Sequence, residues 1–288
     1  MISATYGALF LTVVALWFGR RVWGATFAVA IILGYAAHVL NGLALLWIVA
    51  FAGLCVAYDR AKAREQGWQR AALIAAAALG ILVLGVLLGM HALPGFHNFM
   101  ALDKVVLSPG AAPYTLYLNF DKTFVGICIL GICYRGLLTR RDEWSRALLR
   151  GAPRAVISIV VVAAGALAIG YLTWQPKWTP IFWIWAPVNL FFTCLTEEAF
   201  FRGFIQRELT LAWADWRFGS GVAIGISAVL FGLAHFGGGV SYVVLAMAAG
   251  VGYGVVFHVT RSIEMSMLTH FALNTTHFLL FTYPALSR

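Results

Sequence analysis

Apolar runs close to twenty residues long follow one another along most of this chain, and they constrain it more than any other feature. They lie at roughly 3–19, 22–40, 43–58, 71–93, 123–138, 155–174, 181–206, 219–236, 240–260 and 263–282. A helix rises about 1.5 Å per residue, so about 20 residues cross a hydrocarbon layer about 30 Å thick. In that layer only a helix or a closed barrel satisfies its own backbone, and runs of this length predict helices. The expected fold is an all-α, polytopic transmembrane helix bundle of about 8–10 spans. The runs 43–58 and 123–138 are short enough to be tilted or re-entrant. With 62% apolar and only 11% charged residues, the composition excludes a soluble globular domain, a disordered chain and a disulfide scaffold.

The net charge of +9 does not point to nucleic acid. Lys and Arg cluster in short segments between the apolar runs, where membrane topology places them. With the N-terminus outside, fourteen of these residues fall on the inner side. Only Lys104, Lys122, Lys177 and Arg288 fall on the outer side. The first run is read as a span and not a cleavable leader, because the basic pair Arg20–Arg21 follows it. Cys55, Cys128, Cys133 and Cys194 all sit in apolar runs without paired-ligand spacing, so neither a zinc nor a redox site is expected from them. The stretch 94–122 carries Pro94, Pro109, Pro113 and several aromatics and predicts an outer loop with an interfacial helix. The segment 139–154 predicts an inner amphipathic linker. It divides N-terminal helices over 1–154, without a recognised motif, from a core over 155–288 whose last four helices hold intramembrane polar groups.

Of eleven acidic residues, nine lie in loops or near the ends of runs. The other two, Glu197 and Glu198, are adjacent inside FFTCLTEEAFFRGF. A carboxylate there costs about 2.5–3.5 kcal/mol even on a lenient insertion scale, which makes it a functional candidate. Arg202 follows Glu198 by four residues, so an ion pair on one helix face is expected. Glu197 points about 100° away and is expected to face a cavity. In the next run Phe231 and His235 are four apart, followed by Gly237, Gly238 and Gly239. In the last run His270 and Asn274 are four apart, and His277 continues their stripe. The pattern Ala246, Gly250, Gly254 reads as close helix packing.

Together these groups could perform hydrolysis. A glutamate in an apolar pocket, with a histidine, can deprotonate a water. His270 and Asn274 can donate hydrogen bonds to the oxyanion formed when that water attacks an amide. The chain has no nucleophilic serine motif and no H-E-x-x-H pattern. Glu197, His235 and His270 are also zinc-compatible donors. The metal-free arrangement is favoured, because no recognised zinc motif is present and Asn274 is better explained as a donor.

The elements Glu197-Glu198-x-x-x-Arg202, Phe231-x-x-x-His235 and His270-x-x-x-Asn274, in that order on separate apolar runs, resemble the CAAX protease and bacteriocin-processing family. These are glutamic intramembrane endopeptidases related to the type II CAAX prenyl endopeptidases. The resemblance covers about residues 155–288. It implies a membrane-embedded endopeptidase in which Glu197 activates water with His235, Glu198 supports the site and pairs with Arg202, and His270 and Asn274 form the oxyanion hole. No cofactor is required, although zinc is compatible. It further implies a membrane-anchored protein or peptide as substrate, no nucleic acid, and a multi-pass protein in a bacterial or archaeal plasma membrane. Two other classes are compatible with buried Glu, Arg and His. One is a catalytically silent scaffold or immunity factor of the same fold. The other is a proton-coupled transporter, which would predict interrupted helices or paired repeats.

Overall fold

The apolar runs become helices. In the computed structural model, which describes residues 1–287, they are α1 (Ile2–Ala15), α2 (Arg20–Ala36), α3 (Gly42–Lys62), α4 (Trp68–Gly89), α5 (Phe120–Cys128) and α6 (Arg141–Ala168). After these come α7 (Phe182–Val188), α8 (Leu195–Glu198), α9 (Arg207–Ala212), α10 (Gly219–Leu233), α11 (Val240–Thr260) and α12 (Ile263–Leu280). Arg288, counted above with the outer basic residues, lies outside the described residues. Among the described residues, α3, α4, α6 and α11 are long and apolar enough to cross a membrane, and Ile2–Phe18 and Gly219–Leu233 are shorter apolar helices. This is a polytopic helical membrane protein. The helix α6 leaves Val156, Ile157, Val160 and Val161 more than half exposed, a surface suited to lipid.

Two local expectations are corrected. The stretch 94–122 holds a two-stranded sheet, β1 (Phe99–Val105) paired with β2 (Tyr114–Leu118), where an interfacial helix is predicted. Pro109 and Pro113 remove helix donors, Gly110 turns at φ +68°, and the Tyr- and Thr-containing YTLYL favours a strand. Thr115 Oγ1 accepts from the Lys104 amide at 3.2 Å across the pair. The expected linker 139–154 is not separate from the span after it. Instead α6 runs unbroken for 28 residues, with Pro153 inside it. Glu143 starts it by accepting the Thr139 and Arg140 amides at 3.1 Å each. At about 1.5 Å per residue the helix is roughly 42 Å long, more than the hydrocarbon layer needs.

The chain forms two units, each made from several stretches of sequence. The first is Met1–Phe99, Tyr117–Arg135 and Phe191–Phe200. Within it α1 packs on α2, α3 on α4, and α5 touches α1, α3, α4 and α8. Asn41 caps α3 by accepting from the Leu43 and Ala44 amides at 2.9 and 3.3 Å. The approach of α5 to α8 is at backbone distance: a Cβ on Gly126 would lie 2.8 Å from Thr196 Cα. The second unit is Met100–Leu116, Gly136–Leu190 and Phe201–Arg288. There α11 packs on α6, α10 and α12. Ser262 caps α12 by accepting the Met265 amide at 3.1 Å, and the buried Glu264 accepts Leu138 N–H at 2.6 Å and the Ser262 hydroxyl at 2.8 Å.

The glycine contact yields a paired test. Gly126→Ala should destabilise the protein by about 1–3 kcal/mol, because the new methyl meets backbone. Gly53→Ala, where nothing lies within 4 Å, should stabilise the helix by about 0.5–1 kcal/mol. Thermal unfolding in detergent should therefore move in opposite directions for the two variants.

Candidate active site

Within the second unit, His235, His270 and Asn274 line one cavity of about 70 Å³, together with His277, Phe231 and Tyr253. A buried water needs roughly 10–15 Å³ on this measure, so the space admits several. Each polar group is set by its helix. His235 follows the end of α10, and its Nδ1 donates to the Phe231 carbonyl at 2.7 Å. That bond assigns the ring proton to Nδ1 in neutral imidazole. Behind it, Gly239 caps the start of α11 at φ +84°, and a Cβ on Gly238 would lie 2.2 Å from the Tyr242 ring. The triple glycine therefore lets the chain turn and approach closely just after His235.

His270, 4% exposed on α12, stacks on Tyr253 with centroids 4.6 Å apart and planes 18° apart. Phe231 lies between the two imidazoles, 4.6 Å from His235 and 5.7 Å from His270. Its place four residues before His235 thus has a packing reason: one ring supports both histidines. Asn274 donates from Nδ2 to Asn189 Oδ1 at 3.2 Å. His277 donates from Nε2 to the Thr282 carbonyl at 3.1 Å.

Arg202 is fully buried in the same unit. Its Nη2 donates to the Gly250 carbonyl at 2.9 Å, and its guanidinium lies 4.5 Å from the Phe231 centroid and 5.2 Å from that of Tyr253. One turn on, Gln206 donates to the Gly254 carbonyl at 2.9 Å. Gly250 and Gly254, predicted as packing residues, therefore also present carbonyls to polar side chains that could not approach a bulkier residue.

Glu197 and Glu198 belong to the first unit and are both buried. Glu197 Oε1 accepts a hydrogen bond from Lys122 Nζ at 2.6 Å. The helix carrying both glutamates is unusual. It is α-helical over Leu195–Glu198 and π-helical over Asn189–Cys194 and Ala199–Gln206. Such wide turns recur at functional sites. Among the described residues no group of three or more His, Cys, Asp or Glu is arranged to hold a metal ion.

Three neighbours of these residues escaped the sequence pattern. Lys122 reads as an outer-loop cation, and nothing local links it to a residue 75 positions away. Asn189 left a signal, since it is a lone carboxamide in the apolar stretch WIWAPVNLFF. Tyr253 looks like any core aromatic until its ring is found stacked on His270.

Residues 178–276, about a third of the chain, match the family model described as type II CAAX prenyl endopeptidase Rce1-like. All of Glu197, Glu198, Arg202, Phe231, His235, His270 and Asn274 fall inside the match. No curated protein and no solved structure matches the chain significantly.

The Arg202 contacts predict a stability effect separate from chemistry. Arg202→Met keeps bulk but leaves the buried Gly250 carbonyl without this donor, at a cost of about 1–3 kcal/mol. A lower thermal midpoint and folded yield in detergent are expected. An unchanged midpoint would mean that the guanidinium does not hold α11.

Proposed function

We propose, from the premise that residues 178–276 form a domain of the type II CAAX prenyl endopeptidase Rce1-like family, that this chain is a glutamic intramembrane endopeptidase. The family is one of membrane proteases, and four long apolar helices make the chain an integral membrane protein. Its substrate class is a membrane-associated protein, and its setting in this reading is a bacterial or archaeal plasma membrane. The observation that carries the mechanism is the shared cavity of His235, His270 and Asn274 on the matched segment.

In the proposed reaction Glu197 and His235 activate one water. With its proton on Nδ1, His235 offers Nε2 as an acceptor. The water oxygen bonds to the scissile carbonyl carbon while its proton passes to the glutamate–histidine pair. The carbonyl electrons move to oxygen, and His270 and the Asn274 amide donate to that oxyanion. Collapse breaks the C–N bond, and the held proton goes to the leaving amine. The bond to Asn189 fixes the plane of the Asn274 amide so that its donor is already oriented. Glu198 and Arg202 are the supporting charges, and the core of the activity is assigned to 155–288. No metal takes part in this scheme.

The decisive comparison is purified wild type against Glu197→Gln, with a mass-resolved membrane-anchored peptide as substrate. Glu197→Gln should fold and bind substrate while turnover falls by about 10²–10⁴. Asn274→Ala should lose about 10²–10³. Full turnover in Glu197→Gln would sink the proposal.

Metal dependence is a separate measurement on the same assay. Treatment with a chelator should leave the wild-type rate unchanged. Loss of activity with rescue by zinc would instead assign water activation to a metal.

A further inference from the structure

We propose that Lys122 is the positioning residue of the Glu197 carboxylate, supplying its countercharge and fixing its orientation. This rests on the reading of Glu197 as the base. The lysine comes from α5, well outside the segment 178–276 that carries the family match.

Two features within the first unit bring it there. Lys122 and Gly126 are four apart and lie on one face of α5. Gly126 meets the backbone of Thr196 at a distance no other residue allows, so the same face presents Lys122 to the next residue, Glu197. The first turn of α5 is also held rigidly. Asp121, 1% exposed, accepts from the Lys122 amide at 2.8 Å and from Asn98 Nδ2 at 2.9 Å. His91 Nδ1 donates to the other Asp121 oxygen at 2.7 Å, and Asn98 Oδ1 accepts the Phe120 amide at 2.8 Å. The base of the lysine is therefore tied down by His91, just after α4, and by Asn98, just before β1, and only its flexible stem remains to reach the carboxylate.

A purely structural ion pair is a weaker account. A buried pair is often no more stable than apolar residues of the same volume. A lysine anchored this firmly against the proposed base is better explained by what it does to that base. A carboxylate that swings out of place loses rate steeply, since a misplacement of about 1 Å can cost about 10²-fold.

The test uses the full-length protein in detergent. In Lys122→Ala, kcat should fall on the order of 10²-fold with KM nearly unchanged. Added propylammonium should then raise kcat saturably, while sodium and propionamide at the same concentration should not. A structural role would lower stability without this amine rescue. If Lys122→Ala does not fold, Lys122→Met, which keeps the aliphatic stem, should show the same loss of kcat. Wild-type kcat in a folded variant, or a loss that the amine does not relieve in Lys122→Ala, overturns the role. The two readings fail differently. Inactive Glu197→Gln beside fully active Lys122 variants removes only this inference, whereas active Glu197→Gln removes the proposed function beneath it.

Discussion

A carboxylate buried in an apolar helix has lost its water, and charge or N–H donors from elsewhere in the chain must replace that water. Glu197 is met by Lys122 at 2.6 Å. The same demand shapes the other buried polar groups. The Arg202 guanidinium is held by a backbone carbonyl exposed at a glycine and by two aromatic faces. Glu264 is met by a backbone amide from before α6 and by the hydroxyl of a cap residue. In each case a polar side chain dictates where a second segment must pass, and in a bundle of near-featureless apolar helices that is what makes one packing unique.

The cavity of the second unit applies the rule to neutral groups. Imidazole and carboxamide cost less to bury than a charge, and single contacts orient them: His235 on its own helix end, His270 on Tyr253, Asn274 on Asn189. These contacts come from α10, α11, α12 and the π turn that follows α7, so the site depends on packing between helices and not on any one of them. That separates positioning from chemistry, because a change at Tyr253 or Asn189 would disturb geometry without removing a reacting group.

The helices and the motif residues were legible in the sequence because both are local signals. A long apolar run is a helix regardless of its neighbours, and α11 spans the predicted 240–260. Spacing of four put His270 and Asn274 on one stripe, and they share a cavity with His235. Tertiary pairing was not legible. The bonds from Lys122 to Glu197 and from Asn274 to Asn189 join residues 75 and 85 apart, and no periodicity encodes such a partner. The hairpin of β1 and β2 was hidden by its prolines, which signal a loop equally well. The union of linker and span in α6 leaves no local mark, because the charged residues of 139–154 end the apolar run without ending the helix.

The wide turns around Glu197 and Glu198 bear on how this chain can vary. In a π turn each amide bonds five residues back, so Asn189–Cys194 and Ala199–Gln206 carry slack that an α-helix would not. Removing one residue from such a stretch tightens it to α and leaves the helix intact. The wide turn takes up the loss, so side chains beyond the deletion keep roughly the face they held, whereas the same loss from a regular α segment would turn them by about 100°. A loss within Ala199–Gln206 would thus leave the later residues of the helix near their register with the two glutamates, while a loss within the α-helical Leu195–Glu198 would not. Sequences that keep all three motifs can therefore differ by one residue after Arg202 in this stretch and still carry the same letters on a helix of nearly the same phase.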